Sequence, residues 1–224
     1  VTPPPANTKL LGLNDVTFNV GATSASVEET IAVWDSASAV GFDISGATVT
    51  PTHTTQGNHN WARTVETFST SSGASLSYNL EGSTTEGGYP NTNQVVAFSK
   101  ETSAPSGGGG YSEMDFALYT DNAGLIVVEN GVAYNNWAIL GSWTLSDTFG
   151  IDISSSGVVT YKKNGVTFHT SSYTASGDYY VMAANYRMGA ITLDASTGGT
   201  IISATGLTDN TVTPQHYSFT RGAS

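Results

Sequence analysis

The sequence predicts an all-β protein, an antiparallel β-sandwich, and three observations support this fold class. Short segments rich in Val, Ile, Thr, Tyr and Phe recur every ~8–12 residues and are bounded by Gly, Ser, Asn or Asp. Two Asn-Gly pairs, Asn130-Gly131 and Asn164-Gly165, stand between such segments and favour tight hairpins. No stretch keeps the period of an amphipathic helix for long.

The first residues differ in character from the rest. Residues 1–8 ("VTPPPANT") contain three consecutive prolines, which favour an extended chain with few hydrogen bonds. We interpret them as a linker that joins a single domain, residues 9–224, to a longer chain or assembly. An ordinary chain terminus is the alternative.

One segment before residue 40 is ambiguous. Ser26 and Glu29 in "SVEETIAVW" have the spacing of a helix capping box, whereas "TIAVW" alone favours a strand. The other predicted strands lie, in order, in "VTFNV", "GFDISGATVT", "ASLSYNLEG", "NQVVAFSK", "MDFALYT", "GLIVVENG", "TFGIDIS", "GVVTYKK", "GVTFHTS", "YYVMAANY" and "AITLDAS".

The second Asn-Gly pair predicts a hairpin in "VVTYKKNGVTFHTS". A type I′ turn needs positive φ at both central residues, which Asn164-Gly165 can supply. Alternation places Val159 and Tyr161 on one face of the first strand, and Val166 and Phe168 on one face of the second. We expect these two apolar pairs to be buried together.

The charge balance excludes several partners. The chain has 224 residues, with 7 Lys and Arg against 18 Asp and Glu, and a net charge of −11. Nucleic acids and anionic membrane surfaces both need basic side chains. The sequence has no apolar run of ~18 residues that could insert in a membrane. Charged residues are only 11% and cysteines are absent, so we expect an extracellular, cell-surface or virion protein with a Ser/Thr-rich surface.

Several segments together resemble a known family. "MDFALYTDNAGLIVVENGVAY", "FGIDISSSGVVTYKKNGVTFHTS" and "YYVMAANYRMGAITL" resemble, in this order, the second half of SPRY-like, concanavalin A-like jelly-roll modules of bacterial extracellular and phage proteins. The first half of the chain fits the pattern more loosely. The resemblance implies a jelly roll, but this fold supports lectins, glycanases, lyases and inert spacers.

The chain does not complete the active site of a jelly-roll glucanase. Such enzymes place three carboxylates on one strand face, two of them within ~5–5.5 Å for a retaining mechanism. Glu113 and Asp115 match the first two positions, but Phe116, Ala117 and Leu118 follow them. We therefore expect no glucanase activity, with both carboxylates at a solvated or loop-bonded strand start.

A jelly-roll polysaccharide lyase is a more distant alternative. "ARTVET" resembles one lyase strand, and "YVMAANYRM" resembles another, with Tyr186 at the position of the catalytic tyrosine. Met182 and Met188 replace the lysine and the glutamine of that pattern. No Gln-x-His strand lies between the two segments, so we expect no lyase activity.

The main functional prediction is a non-catalytic module that binds a carbohydrate or cell-surface glycan. Aromatic rings stack on sugars and amide side chains bind hydroxyl groups, and the sequence places both types together in "NHNW", "GGYPNTN" and "YNNW". The predicted ligand-binding residues are Tyr134, Asn135, Asn136, Trp137, Trp61 and Tyr89. Burial of Trp61 or Trp137 in the core is one alternative. A structural or adhesive head without sugar binding is another.

No cofactor is predicted, and a structural calcium ion remains an option. Loop oxygens for calcium are present in Glu81, Glu86, Asp121, Asn122, Asp178, Asp209 and Asn210, without EF-hand spacing. The four histidines, His53, His59, His169 and His216, are not spaced as a zinc site. We expect all four at the surface, with His169 facing away from Phe168.

Overall fold

The computed structural model describes residues 26–52, 60–81, 94–104, 110–121, 123–185, 189–194 and 197–203. Its contacts divide the chain into one unit of residues 27–201 and a second of residues 1–26 and 202–224. The predicted linker lies outside the described residues, and the assignment of residues 9–224 to one domain stays a prediction. The strands lie within residues 27–201, except that the first begins at residue 26 and the last ends at residue 203.

Sixteen strands form two antiparallel sheets, and the described residues contain no α-helix. None of those residues therefore forms a helix that could span a membrane. The first sheet has nine strands: β1 (Ser26–Ile31), β2 (Phe42–Ser45), β3 (Thr48–Pro51), β6 (Ala74–Glu81), β11 (Thr148–Ile153), β12 (Val158–Lys163), β13 (Val166–Thr174), β15 (Ala190–Leu193) and β16 (Gly198–Ser203). The second has seven: β4 (Asn60–Arg63), β5 (Phe68–Ser69), β7 (Gln94–Ser99), β8 (Phe116–Thr120), β9 (Leu125–Glu129), β10 (Val132–Ala133) and β14 (Asp178–Asn185).

The nine-stranded sheet has one buried face and one polar face. Its main path runs β13-β12-β11-β6-β15-β3-β2. Strand β6 shows the alternation most clearly, since Leu76 and Tyr78 are buried in the core while Ser75 and Ser77 point outward. A period of two residues is what a half-buried strand requires. The outward face carries polar groups, among them Ser75 and the ion pair of Asp152 with Lys162.

The seven-stranded sheet is buried on both faces. Its main path runs β10-β9-β8-β7-β14-β4, and every residue of β7, β8 and β9 is buried. Val96 and Phe98 of β7 belong to the core between the sheets, whereas Val95 and Ala97 belong to a second apolar cluster on the opposite face. This second cluster means that loops, and not water, cover the outer face of the sheet.

The segment near residue 30 forms a strand. Ser26–Ile31 is β1, so the helix indicated by its capping-box spacing is wrong. The strand lies earlier than the alternative "TIAVW" and contains only its first two residues. Trp34 follows in an isolated bridge to Thr64 and is buried. Only two residues, Ser26 and Glu29, favoured a helix, whereas pairing in a sheet provides backbone hydrogen bonds for the whole segment.

The hairpin of β12 and β13 confirms the predicted turn and corrects the predicted faces. Asn164 and Gly165 have φ of 52° and 76°, and Lys163 pairs with Val166 on either side of them. Val159 and Tyr161 are buried as expected, and Phe168 is partly buried against the core, but Val166 is 69% exposed. The pairing shifts between Lys162–Thr167 and Tyr161–His169, which leaves Phe168 as the extra residue of a β-bulge.

This bulge changes the environment of His169. A regular ladder would pair Tyr161 with Phe168, whereas the bulge pairs Tyr161 with His169. Residues directly opposite one another share a sheet face, so His169 lies on the face of the buried Tyr161. Its side chain is only 11% exposed, and the prediction of a surface position for His169 is wrong. His53, His59 and His216 lie outside the described residues.

Candidate functional site

The predicted "YNNW" residues leave the edge of the seven-stranded sheet. The N–H of Tyr134 donates to the carbonyl of Val127 at 2.8 Å, and the N–H of Leu140 donates to that of Leu125 at 2.8 Å. The two bonded residues of β9 are two positions apart, whereas their partners on the edge segment are six positions apart. The additional residues of the edge segment therefore loop out from the sheet, and we call residues 134–137 the 134–137 turn.

The 134–137 turn is left-handed and strained. Asn135, Asn136 and Trp137 have φ of 44°, 54° and 68°, and the N–H of Ala138 donates to the carbonyl of Tyr134 at 3.1 Å. Asn enters this region several times more readily than most residues, but Trp is an outlier there. A left-handed helical conformation costs about 1–2 kcal/mol per residue. Such strain persists where surrounding contacts hold it, and it is concentrated at functional sites.

Two tyrosines hold the Trp137 side of the turn. The Trp137 indole meets the rings of Tyr111 and Tyr119 edge-on, with centroids 5.1 and 5.6 Å apart. These two tyrosine rings also contact one another at 5.8 Å. Trp137 remains 41% exposed, so the tyrosines fix the indole without covering it. An indole held in this way can stack on a ligand with little loss of side-chain entropy.

The Tyr134 side of the turn meets the nine-stranded sheet. The Tyr134 ring lies 4.4 Å from that of His169 on β13, and Tyr134 remains 40% exposed. Beneath it, the Tyr161 hydroxyl donates to Glu129 Oε1 at 3.2 Å. Burial raises the pKa of Tyr161 well above 10, and the charge and hydrogen bond of Glu129 raise it further. Tyr161 is therefore a neutral donor at physiological pH.

The segment that begins at Gly110 contacts the turn through Tyr111. Residues 107–110 are all Gly. Residues 105–109 lie outside the description, but Gly110 is buried, and a Cβ there would lie 2.6 Å from Ala184 Cβ. The segment that follows, residues 110–115, packs on the outer face of the seven-stranded sheet and carries Tyr111 to the turn.

The other predicted ligand-binding residues lie elsewhere. Trp61 belongs to β4, not to a loop, and is 3% exposed in the outer cluster of the seven-stranded sheet, so its indole does not face solvent. Tyr89 lies outside the described residues. Trp137 is exposed and does not lie in the core, whereas the partly buried Trp143 packs against the core, with its ring 6.3 Å from that of Phe149 and its Nε1–H donating to the carbonyl of Asp121 at 2.8 Å.

The two carboxylates compared with a glucanase precede β8. Asp115 Oδ2 accepts a hydrogen bond from the backbone N–H of Lys100 at 2.8 Å, and the carbonyl of Glu113 accepts one from Ser99 Oγ at 3.3 Å. The Asp115 carboxylate is therefore bonded to the loop after β7, as expected for a strand start. For Glu113 this bond involves the backbone carbonyl, and the expectation for its carboxylate stays a prediction. Of the residues compared with a lyase, Tyr186 and Met188 lie outside the description. Arg63 is engaged by Asp35 at 3.3 Å.

Across the described ranges, no three His, Asp or Glu side chains come together as a metal site. Several of the loop oxygens considered for calcium lie outside those ranges, including Glu86, Asn122, Asp209 and Asn210. The structural calcium ion therefore stays a prediction.

Sequence reasoning missed four residues around the turn. Tyr111 and Tyr119 stand in segments whose strand character was recognised, but alternation alone does not show which outer-face rings a loop will contact. Glu129 and His169 were missed because their meeting depends on the bulge in β13. The adjacent hairpin pattern carries no local signal for that bulge.

Comparison with known proteins gives a likeness in fold. No protein-family model and no curated protein matches the chain. Among solved structures it is similar to the SPRY domain of human HERC1, with a TM-score of 0.51 and 12% identity over 72% of this chain and 97% of that one. It is also similar to the PSpry domain of TRIM65, with a TM-score of 0.53 and 14% identity over 74% and 92%. A third similar structure is a human SPRY domain, with a TM-score of 0.53 and 13% identity over 71% and 98%. The resemblance expected from the sequence is confirmed at the level of fold: the chain is a SPRY-like, concanavalin A-like β-sandwich.

Proposed function

We propose that the protein is a non-catalytic binding module for a neutral glycan and that its ligand-binding site is the 134–137 turn. The observation that carries the proposal is the strained left-handed backbone, which presents Asn135, Asn136 and Trp137 to solvent together. Backbone strain held in place by surrounding contacts is concentrated at binding and active sites, which supports this assignment. We place the module in an extracellular, cell-surface or virion protein, as its low charge and Ser/Thr-rich surface favour.

The chemistry of the turn suits a sugar. Asn135 and Asn136 are exposed, and each amide offers two donors and one acceptor with two lone pairs. A pair of vicinal hydroxyl groups can both donate to and accept from such amides. The exposed Trp137 indole adds an apolar surface for the C–H groups of a sugar ring. Each aromatic contact is expected to contribute on the order of 1 kcal/mol.

The charges of the described residues favour a neutral ligand over a uronate or sialic acid. Every described Lys and Arg is already engaged within the fold: Arg63 by Asp35, Lys162 by Asp152, Lys163 by Asp147, and Lys100 over the ring of Tyr179. The net charge of −11 adds long-range repulsion of anions. Nothing within the described ranges is poised to neutralise a carboxylate on a ligand.

A glycan array with matched variants tests the proposal. Trp137→Ala should abolish retention of the ligand while the melting temperature stays within a few degrees of the parent. Tyr173→Ala is the control, because Tyr173 is also an exposed aromatic residue, 52% exposed, but lies on β13. Loss of about 3–5 kcal/mol in Trp137→Ala would show that the residue acts as core and would overturn the proposed site.

A second pair of variants separates the amides from the backbone. Asn135→Gly removes the amide and keeps a residue that adopts positive φ without strain. Asn130→Gly does the same at a hairpin tip with φ of 50°. We expect the first to lose glycan binding and the second to retain it. Equal binding by both would exclude the Asn135 amide from the site.

A structural or adhesive head that binds protein is the second candidate. One observation favours it: five of the exposed large apolar residues fall within residues 132–145, namely Val132, Tyr134, Trp137, Ile139 and Leu145. Clustered apolar exposure marks interaction surfaces. Ile139→Ser would distinguish the two candidates, since it should weaken a protein interface and leave recognition of sugar hydroxyl groups intact.

A further inference from the structure

The two hairpin tips carry the same three residues in different surroundings. Residues 130–132 and residues 164–166 both read Asn-Gly-Val, and Asn130 and Asn164 have φ of 50° and 52°. An asparagine followed by glycine is open to an intramolecular reaction, because glycine has no side chain that keeps the two reacting groups apart. The chain therefore contains two copies of one reactive sequence.

The reaction joins the side chain of the asparagine to the backbone nitrogen of the glycine. That nitrogen loses its proton and bonds to Cγ, the bond between Cγ and Nδ2 breaks, and Nδ2 leaves as ammonia. Water then opens the succinimide ring. Cleavage of the nitrogen bond to Cγ gives aspartate, whereas cleavage of the nitrogen bond to the backbone carbonyl carbon gives isoaspartate, whose main chain is one carbon longer. Water is the only reagent that the reaction needs.

At the second tip, both ends of the asparagine side chain are held. Asn164 Nδ2 donates to Asp147 Oδ1 at 2.6 Å, and Asn164 Oδ1 accepts a hydrogen bond from the N–H of Thr148 at 2.9 Å. The bond to Asp147 is to a charged group and belongs to the stronger class of hydrogen bonds. Both bonds must break before the Asn164 amide is free to turn onto the nitrogen of Gly165.

At the first tip, the side chain is free and only the attacking nitrogen is held. The Asn130 side chain is exposed, and among the described residues it forms no side-chain hydrogen bond. The N–H of Gly131 donates to the carbonyl of Met114 at 2.9 Å, which is a neutral backbone bond. The strand that follows, β10, has only two residues and lies at a sheet edge. Segments with few buried contacts open locally most readily, so this bond is the easier one to release.

We propose that Asn130 is a site of spontaneous deamidation in the folded protein and that Asp147 and Thr148 protect Asn164 from the same reaction. The juxtaposition that carries the proposal is an unbonded amide beside glycine at one tip and a doubly bonded amide beside glycine at the other. Neither statement depends on the proposed function.

Conversion at Asn130 reaches the 134–137 turn through β10. Isoaspartate adds a main-chain carbon directly before Gly131, where a Cβ would already lie 2.0 Å from the carbonyl oxygen of Ser112. Tyr134 follows β10 directly, and its N–H donates to the carbonyl of Val127 at 2.8 Å. We therefore expect isoaspartate at position 130 to displace the turn. Only the step from the displaced turn to ligand affinity rests on the proposed function.

Ageing of the full chain tests the site. Folded protein is incubated at mildly alkaline pH, and mass spectrometry of its peptides follows conversion at both tips in the same samples. Each rate is divided by the rate at the same tip in the urea-unfolded chain. We expect the normalised rate at Asn130 to exceed that at Asn164 by about tenfold or more, as one hydrogen bond to a charged group can supply. A folded Asn130 that converts no faster than Asn164 overturns the proposal.

Two matched variants test the protection of the second tip. Asp147→Ala removes the charged partner of Asn164 and should raise the normalised rate at Asn164. Asp152→Ala is the control, because it removes a carboxylate that is bonded to Lys162 and Ser75 and not to Asn164. The rate at Asn130 in the same samples reports general unfolding and should not change. A rate at Asn164 that responds equally to both variants overturns the protection.

Ligand binding separates the deamidation site from the proposed function. Aged parent protein should lose retention on the glycan array in proportion to its isoaspartate content, whereas Asn130→Gly aged in the same way should keep it. Fresh Asn130→Asp adds the charge without the extra main-chain carbon and should also bind. If Asn130 converts but no glycan binds even to fresh protein, the proposed function fails and the deamidation site stands. If aged and fresh parent bind equally well, the link from Asn130 to the turn is wrong.

Discussion

The two Asn-Gly hairpins have nearly the same backbone and different surroundings. Asn130-Gly131 has φ of 50° and 73°, and Asn164-Gly165 has φ of 52° and 76°. A Cβ added to Gly131 would lie 2.0 Å from the carbonyl oxygen of Ser112, whereas one added to Gly165 meets nothing within 4 Å. The first glycine is thus required by packing as well as by φ, and the second by φ alone.

The asparagines show the opposite pattern. Asn164 Nδ2 donates to Asp147 Oδ1 at 2.6 Å, and its Oδ1 accepts a hydrogen bond from the backbone N–H of Thr148 at 2.9 Å. The Asn130 side chain is exposed, and within the described part of the chain it makes no side-chain hydrogen bond. The first Asn-Gly hairpin therefore depends mainly on the packing of Gly131, and the second depends mainly on the hydrogen bonds of Asn164. Tertiary contacts determine which of the two residues matters more in each hairpin.

The 134–137 turn extends the comparison. It also has successive residues with positive φ, yet it contains no glycine and ends in Trp137. The hairpin tips adopt their shape because their residues prefer it. The turn adopts its shape because Tyr111, Tyr119 and His169 hold its two aromatic residues. A site built in this way is preorganised by the fold.

The largest expected effect separates the two glycines. Gly131→Ala should lower the free energy of unfolding by about 2–5 kcal/mol, because left-handed strain adds to overlap with the backbone at Ser112. Gly165→Ala should cost about 1 kcal/mol, from strain alone. Chemical denaturation of both variants measures the difference. Equal losses would show that the loop at Ser112 moves away freely.

The next effect separates the two asparagines. Asn164→Gly keeps the turn but removes two hydrogen bonds, one to a charged group, and should cost about 1–3 kcal/mol. Asn130→Gly should stay within about 0.5 kcal/mol of the parent, as surface substitutions usually do. Denaturation midpoints report both values. A larger loss in Asn130→Gly would reverse the comparison.

A smaller effect should appear with pH at the second hairpin. Burial raises the pKa of Asp147, but this is outweighed by hydrogen bonds from Asn164 and Thr144 and by the charge of Lys163, so the pKa lies below its usual value. A depressed carboxyl pKa contributes stability above about pH 4 that is lost as pH falls through the folded-state value. The cost of Asn164→Gly should therefore shrink between about pH 6 and pH 3. A constant cost across that range would mean that Asn164 does not stabilise the charged carboxylate.

The smallest effect compares two substitutions at Trp137. Both Trp137→Ala and Trp137→Gly remove the contacts with Tyr111 and Tyr119. Glycine also relieves the left-handed strain, so the Gly variant should be more stable than the Ala variant by about 1 kcal/mol. The reverse order is expected at a residue with ordinary φ. Finding it would show that the turn is not left-handed in solution.

The sequence by itself determined the fold class and both hairpin tips. The composition of "ASLSYNLEG" and its bounding residues predicted a strand there, which the structure confirms as β6, and the Asn-Gly pairs predicted the turns. These features depend on residues that are close together in the sequence, so they can be recognised from the local sequence pattern. The "YNNW" residues were predicted from the sequence as ligand-binding residues, and the structure places them in a turn after β10.

Tertiary structure decided which side chains of these elements are buried and which are presented to solvent. Trp61 and Trp137 both follow asparagines, yet Trp61 is buried on a face covered by a loop from residue 110 onward, while Trp137 is presented to solvent by two tyrosines. His169 reached the inner face only because the ladder admits one extra residue at Phe168. Which loop covers a sheet face, and where a ladder shifts, depends on the packing free energy of segments distant in sequence. Local sequence patterns do not reveal this packing free energy.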